Sequence, residues 1–155
     1  MPTDPRPQVA VSALAVEDGR LLLVQRGPSR PGAGTWALPG GRVEPGERLA
    51  AAVVRELAEE TGLRARCGPL VGVAERITGA GHYVIVDYRV TVLDPPGAAV
   101  AADDAAAVAW VPLAEVAGHD LVPGLAGFLA DHGVIPPPGG KGEGAARPAA
   151  KAGDA

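Results

Sequence analysis

One segment, residues 41–63, constrains this chain more than any other part of the sequence. It reads GRVEPGERLAAAVVRELAEETGL and fits the pattern G-x5-E-x7-R-E-U-x-E-E-x-G-U, in which U is a bulky aliphatic residue. The fixed positions of the pattern are Gly41, Glu47, Arg55, Glu56, Leu57, Glu59, Glu60, Gly62 and Leu63. From average composition, the seven identities would coincide at a given start point with a probability on the order of 10⁻⁸. We therefore treat this segment, called the box below, as a functional signature.

The box predicts a helix that carries an acidic cluster. Hydrophobic periodicity predicts the helix over residues 48–61, with Gly62 as its C-terminal cap. At about 100° per residue, Glu56, Glu59 and Glu60 fall together beside the apolar stripe. Neighbouring carboxylates repel one another, and a hard divalent cation such as Mg²⁺ would relieve that repulsion. A crowded solvated face would explain the cluster if it stood alone, but within the complete pattern a metal site is the better interpretation.

Length and composition indicate a single globular domain. The chain has 155 residues, of which 47% are hydrophobic, and this is enough to form a core. One cysteine excludes an intramolecular disulfide and is typical of a reducing cytoplasm, where we expect the protein to act. The net charge of −4, without a basic stripe, argues against a nucleic-acid polymer as a partner. We expect neither a signal peptide nor a membrane span.

The predicted domain spans residues 8–135. Residues 1–7 contain three prolines and are predicted to form a flexible arm, whereas 136–155 lack a large apolar side chain and are predicted to be a disordered tail. Asp18-Gly19 predicts a hairpin, and helices are expected after Pro112 and over 124–132. Apolar runs predict strands at 9–16, 21–25, 36–38, 69–77, 82–93 and 107–111. This order predicts an α/β (α+β) sandwich.

The complete box resembles the signature of the Nudix hydrolases, metal-dependent enzymes that split nucleoside diphosphates linked to another group. Similar features continue through GRLLLVQRG, GTWALPGG, HYVIVDYRV and AWVPLAEV, so the resemblance covers roughly residues 8–132. It implies an α/β/α sandwich with a mixed central sheet, in which the box forms a loop–helix–loop. It also implies a small-molecule nucleotide substrate, Mg²⁺ as cofactor with Mn²⁺ as its substitute, and a monomer or homodimer.

The resemblance implies a ligand set for the metal. This set consists of the backbone carbonyl of Gly40 and the carboxylates of Glu56, Glu59 and Glu60, and Glu56 and Glu59 are also expected among the catalytic residues. Divalent cations neutralise phosphate charge, orient the phosphates and lower the pKa of a bound water. Cleavage of a pyrophosphate link requires these three effects.

Four further positions are expected to support the box. Gly41 follows Pro39-Gly40 and allows the backbone to approach metal and phosphate closely, and Gly62 ends the helix. By resemblance, Arg55 and Glu47 form an ion pair that holds the loop against the helix. We therefore treat this pair as organisers and not as proton-transfer groups.

The catalytic base is less well defined by the sequence. Family members use either a box glutamate or an acid on another loop, and the segment DDAAAVAWVPLAEV resembles the loop that carries such an acid. Asp104 is therefore the candidate, with two solvated aspartates as the alternative interpretation and Glu75 as a second candidate. Arg26, His82 and Tyr83 are candidates for substrate contacts, and a purely structural strand histidine fits His82 equally well.

The substrate is left open by the sequence, because the marks of individual subfamilies are absent. For example, ADP-ribose enzymes often carry a proline about fifteen residues beyond the box, where this chain has Thr78 and Gly79. Our leading prediction is hydrolysis of a nucleoside diphosphate linked to another group, most often ADP-ribose or a nucleotide sugar. The alternative is a (d)NTP pyrophosphohydrolase that clears oxidised or non-standard nucleotides. A sensor that binds a nucleotide metabolite without cleaving it is a third reading, which the intact box disfavours.

Overall fold

The structure is a computed structural model and describes residues 4–137. Residues 1–3 of the predicted arm and 138–155 of the predicted tail lie outside this range. The strands are β1 (Gln8–Leu14), β2 (Val16–Glu17), β3 (Arg20–Arg26), β4 (Trp36–Ala37), β5 (Gly40–Arg42), β6 (Ala65–Thr78), β7 (Gly81–Val92) and β8 (Ala105–Pro112). The α-helices are α1 (Leu49–Thr61) and α2 (Leu125–Asp131), and 3₁₀ helices span Pro96–Ala98 and Leu113–Gly118. In the part of the chain so described, no helix is both long and apolar enough to cross a membrane.

The strands form two four-stranded sheets. In the first, the order is β5-β1-β7-β6, and β1 runs parallel to β7 but antiparallel to β5. In the second, β3 is central and pairs antiparallel with β2, β4 and β8. The first sheet is therefore mixed, and the predicted α/β (α+β) class is confirmed.

The apolar run in β3 shows how the layers are arranged. Leu21, Leu22 and Leu23 are all fully buried. Leu22 belongs to the same core cluster as Leu57 of α1, whereas Leu21 and Leu23 share a second cluster with Leu129 of α2. Because successive side chains of a strand point to opposite faces, the strands lie between the α1 layer and the α2 layer. This is the expected sandwich.

Two local predictions differ from the structure. β6 begins at Ala65 rather than at residue 69, because irregularities in its pairing with β7 around Cys67 and Leu70 let the strand continue through Gly68-Pro69. The second difference is one of helix type only, because the helix expected after Pro112 is present as the 3₁₀ helix Leu113–Gly118.

Gly40 and Gly41, the glycines expected to bring the backbone close to metal and phosphate, lie in the strand β5. Gly40 lies opposite Ser12 and Gly41 opposite Val11 of β1. A Cβ atom at Gly40 would collide with the backbone carbonyl of Val11, so only glycine permits this pairing. The pairing fixes the backbone that faces the box helix.

Candidate active site

Helix α1 presents the three predicted acids along one edge. Its Val53 and Leu57 side chains are fully buried in the core, which fixes the rotation of the helix. The helix ends at Gly62, whose φ of 73° is left-handed, as a C-terminal cap requires. The predicted helix and its cap are thus present, with the first helical residue at Leu49.

Glu60 is the most buried of these acids. Its side chain is only 6% exposed and accepts a hydrogen bond of 3.0 Å from the backbone N–H of Gly40. Burial raises the pKa of Glu60 to about 7, and the nearby carboxylates of Glu56 and Asp104 add to the effect, although the Gly40 N–H and Arg30 oppose it. Burial therefore disfavours the charged form of this carboxylate, which a nearby cation would stabilise.

Glu56 lies directly against the backbone of β5. A Cβ atom at Gly41 would collide with the Glu56 carboxylate, so the glycine leaves the space that this side chain fills. Burial raises the pKa of Glu56, opposed by Arg55. Beside Glu56 the surface forms an open depression, lined by Gln8, Arg42, Val43, Glu44 and Pro45.

Arg55 links the loop of the box to its helix. Its Nε and Nη2 donate hydrogen bonds of 2.7 Å and 2.9 Å to the two carboxylate oxygens of Glu47, which is the expected ion pair in bidentate geometry. Its Nη1 donates to Glu56 at 2.9 Å and to Glu59 at 3.0 Å. The contact with Arg55 holds the pKa of Glu47 at about 2. Arg55 therefore also contacts two of the proposed metal ligands, which the sequence did not indicate.

Asp104 is brought to the box by the backbone. The N–H groups of Val100 and Ala102 donate to the carbonyl oxygens of Thr61 and Glu60, at 2.9 Å and 3.0 Å, and so use carbonyls that the end of α1 leaves unpaired. Asp104 follows directly, in a turn where Asp103 has a φ of 56°. This candidate base and the box acids therefore belong to one site.

Arginines flank this site on the side of Asp104. Arg30 Nη1 lies 3.6 Å from Glu60 Oε2 and 3.3 Å from Asp104 Oδ2. Arg26 ends β3 close by, and its pKa is lowered by burial and then by the charges of Arg76 and Arg30. The buried Nε of Arg26 has no hydrogen-bond partner among residues 4–137. Arginines placed next to acidic groups suit a ligand that carries phosphates.

Among residues 4–137 the remaining candidates form no hydrogen bond or ion pair with the box acids. His82 Nε2 is 3.1 Å from Glu75 Oε2 across the β6–β7 hairpin, and between residues 4 and 137 no hydrogen bond or ion pair joins either residue to a box acid. Tyr83 lies opposite Gln8 in the sheet register, and Gln8 lines the depression beside Glu56. The structure thus does not bring His82 or Glu75 to the acidic cluster.

Sequence reasoning missed Arg30 and Arg76. Arg30 lies in the loop between β3 and β4, and Arg76 lies in β6. One signal for Arg30 was available, since an arginine between Pro28 and Pro31 precedes the Trp36 strand and the box. No comparable signal marks Arg76.

The acids fit a divalent cation by their chemistry. They offer only oxygen ligands, as Mg²⁺ requires. Burial raises the pKa of Glu60, and a cation bound beside it would stabilise the charged carboxylate. Over residues 4–137, however, no three His, Cys, Asp or Glu side chains are arranged so that they could already hold a metal ion. Arg55 spans Glu56 and Glu59, and Arg30 lies between Glu60 and Asp104. These guanidinium groups occupy positions where a cation could be held.

Comparison with known proteins supplies independent information. The family model described as NUDIX domain matches residues 5–132. The "Putative 8-oxo-dGTP diphosphatase 2" of Mycobacterium tuberculosis is 39% identical over 127 residues, which cover 80% of this chain and 86% of that protein. The ADP-ribose pyrophosphatase of Methanocaldococcus jannaschii is 40% identical over 101 residues, covering 64% of this chain and 58% of that protein.

Solved structures show the same relationship. A crystal structure of a MutT protein from Methanosarcina mazei Go1 superposes with a TM-score of 0.74 and 27% identity. The match covers 84% of this chain and 96% of that chain. Fold and sequence therefore agree over nearly all of the described residues.

Proposed function

Because this chain belongs to the Nudix hydrolase family and is therefore a pyrophosphohydrolase, we propose that it cleaves a phosphoanhydride bond of a nucleoside triphosphate whose base is oxidised or non-standard, with Mg²⁺ as cofactor. The observation that carries the reaction type is the packing of Glu56 and Glu60 against the backbone of Gly41 and Gly40. A cation bound by these acids would lie next to a backbone that phosphates can approach, as phosphoanhydride hydrolysis requires.

The choice of substrate rests on the relatives. The relative named for 8-oxo-dGTP matches over 86% of its own length, whereas the one named for ADP-ribose matches over 58%. This difference favours a nucleoside triphosphate and reverses the order that the sequence alone suggested. ADP-ribose stays as the second candidate, supported by 40% identity over the matched part.

The side chains of the site have three roles, which are metal binding, positioning and proton transfer. Glu56, Glu59 and Glu60, with the Gly40 carbonyl, would hold the cation, which supplies charge neutralisation and a more acidic water when bound. Arg55 positions the glutamates through its contacts with both loop and helix. Asp104 is more exposed, at 44%, and contacts the same Arg30 guanidinium as Glu60, which supports a role for Asp104 as acceptor of the proton from the attacking water.

A substrate panel tests this proposal. The purified chain is incubated with 8-oxo-dGTP, the standard (d)NTPs, ADP-ribose, nucleotide sugars and dinucleoside polyphosphates, each with Mg²⁺, with Mn²⁺ and with EDTA. We expect Mg²⁺-dependent release of pyrophosphate and a nucleoside monophosphate, fastest with an oxidised or non-standard triphosphate. AMP and ribose 5-phosphate from ADP-ribose as the only products would select the second candidate. Tight nucleotide binding without turnover of any substrate would instead indicate a sensor.

A further inference from the structure

The loop that carries Arg30 is held firmly against the Asp104 segment. The N–H of Gly27 donates to the carbonyl oxygen of Asp104 at 3.0 Å, and the N–H of Arg30 donates to the carbonyl oxygen of Gly27 at 3.1 Å. A Cβ atom at Gly27 would lie 2.5 Å from that same Asp104 oxygen, so glycine is required for this contact. The base of the loop is therefore fixed, and Arg30 begins from a defined position.

The guanidinium of Arg30 is held by charge alone. Its contacts with Glu60 and Asp104, at 3.6 Å and 3.3 Å, are too long or too poorly aligned to be hydrogen bonds. No other side-chain partner of Arg30 occurs among residues 4–137. A guanidinium has five N–H donors, and this one is 31% exposed, so it can turn toward a ligand without breaking a strong bond.

The surroundings favour an anionic ligand for this arginine. Arg26 is half-buried near Arg30, and its pKa is lowered by burial first and then by the charges of Arg76 and Arg30. Arg26 already donates from Nη1 to the carbonyl of Pro31 in the same loop, at 3.2 Å. A phosphate placed between the loop and Glu60 would separate these like charges and offer a guanidinium two oxygens at once.

We propose that Arg30 is a phosphate-binding residue that changes partner: its guanidinium rests between Glu60 and Asp104 in the ligand-free protein and moves to a phosphate of the bound substrate. This inference rests on the proposed function, since it needs a substrate with adjacent phosphates. The Arg30 side chain then has two effects. Arg30 attracts the phosphates, and before they arrive it competes with a cation for the carboxylates of Glu60 and Asp104.

Two binding measurements test the exchange without turnover. The first is the affinity for methylenediphosphonate, a diphosphate analogue that cannot be hydrolysed, measured calorimetrically with Mg²⁺. The second is the affinity for Mn²⁺ alone, measured by electron paramagnetic resonance. Both are made on the wild type, Arg30→Gln and Arg30→Lys, and on Arg20→Gln as the matched control, because Arg20 is exposed at the far end of β3.

We expect opposite changes in the two affinities. Arg30→Gln should bind the diphosphonate about tenfold more weakly or worse, since a charge-assisted bidentate contact is lost, and should bind Mn²⁺ more tightly. Arg30→Lys keeps the charge without the planar fork and should fall between it and the wild type. Arg20→Gln should match the wild type in both measurements. Circular dichroism establishes that the variants fold.

Each other outcome overturns the inference. If Arg30→Gln and the wild type bind the diphosphonate with equal affinity, Arg30 does not bind phosphate. If Arg30→Gln binds the diphosphonate more weakly but binds Mn²⁺ no more tightly than the wild type, Arg30 does not compete with the cation. The proposed change of partner is then wrong. If the wild type hydrolyses a nucleotide but the Arg30 variants bind normally, only this inference fails. If the wild type neither hydrolyses a nucleotide nor binds the diphosphonate, the proposed function fails with it.

Discussion

The backbone N–H of Gly40 donates a hydrogen bond of 3.0 Å to Oε1 of Glu60. This bond joins the short strand β5 to the last turn of α1, two elements separated by the whole loop of the box. It also keeps the Glu60 carboxylate beside the Gly40 backbone, which phosphates would approach. The site is thus a strand and a helix edge locked together, which makes the effect of single substitutions predictable.

Gly41→Ala should reduce activity more than stability. The added Cβ atom would collide with the Glu56 carboxylate, which is the end of a flexible side chain and can move away. A displacement of about 1 Å can lower kcat by up to about 100-fold. Steady-state kinetics and urea unfolding of the variant measure the two effects.

Gly46→Ala is the matched control for that variant. Gly46 lies in the same loop with open space around it but has a φ of 79°, so alanine should cost about 1 kcal/mol of unfolding free energy. Its kcat should stay near that of the wild type. Equal kcat losses in both variants would contradict the specific role of the space at Gly41.

Glu47→Gln should loosen the loop of the box. The substitution removes the charge that binds two nitrogens of Arg55. Among residues 4–137, Arg55 then keeps only the glutamates of the helix, Glu56 and Glu59, as charged partners. We expect kcat to fall roughly tenfold through misplacement of Glu56 and Glu59, with the secondary structure retained. Glu115→Gln, at an exposed position of the 3₁₀ helix Leu113–Gly118, should leave kcat unchanged. An unchanged kcat in Glu47→Gln would show that the ion pair does not position the site.

Asp87 should make the stability of the protein depend on pH. It is 3% exposed, accepts a hydrogen bond from the Ser12 hydroxyl, and has a second oxygen without a partner among residues 4–137. Burial raises its pKa from 3.8 to about 6. Because the folded state then holds its proton more tightly than the unfolded state, stability should fall as pH rises from about 4 to 6 and stay lower above that range.

Asp87→Asn tests this pH dependence. The shift corresponds to a cost of up to about 3 kcal/mol above pH 6, so the variant should gain stability over the wild type at pH 7.5 and lose that advantage near pH 4. Urea unfolding at both pH values gives the two free energies, and Glu115→Gln serves as the control for loss of a carboxylate. A constant difference between Asp87→Asn and the wild type across this range would refute the assignment.

Removal of residues 136–155, the predicted tail, should leave turnover unchanged. These residues contain no large apolar side chain, so they lack the means to form a core of their own. The kcat and KM of the shortened chain, with the substrate found in the panel, measure this. A large loss of either would mean that the segment contributes to the site or to an interface.

The sequence predicted the elements whose signals are local. The Asp18-Gly19 hairpin is one example, since both residues have a positive φ, 50° and 72°, as a two-residue turn between strands requires. The box helix and its Gly62 cap are another, because hydrophobic spacing and a terminal glycine define them. The clustering of the box acids on one edge follows from the same helical spacing.

The parts that the sequence did not predict depend on distant contacts. Gly40-Gly41 has the composition of a turn and becomes a strand only because β1 lies beside it. Arg30 reaches Glu60 and Asp104 because three separate segments meet, and no spacing along the chain encodes that meeting. His82, a candidate for a substrate contact, instead pairs with Glu75, because the pairing of β6 with β7 brings the two residues together.

The central claim is that the α1 carboxylates make this chain a metal-dependent pyrophosphohydrolase. The most direct test is the rate of pyrophosphate release from 8-oxo-dGTP by the wild type, Glu59→Gln and Glu115→Gln, each with Mg²⁺ and with EDTA. We predict turnover only with Mg²⁺ and normal turnover in Glu115→Gln. In Glu59→Gln we predict a kcat that is lower by about 100-fold or more, on the scale of losing one charge-stabilising group. Undiminished turnover in Glu59→Gln, or turnover that persists in EDTA, would contradict the claim.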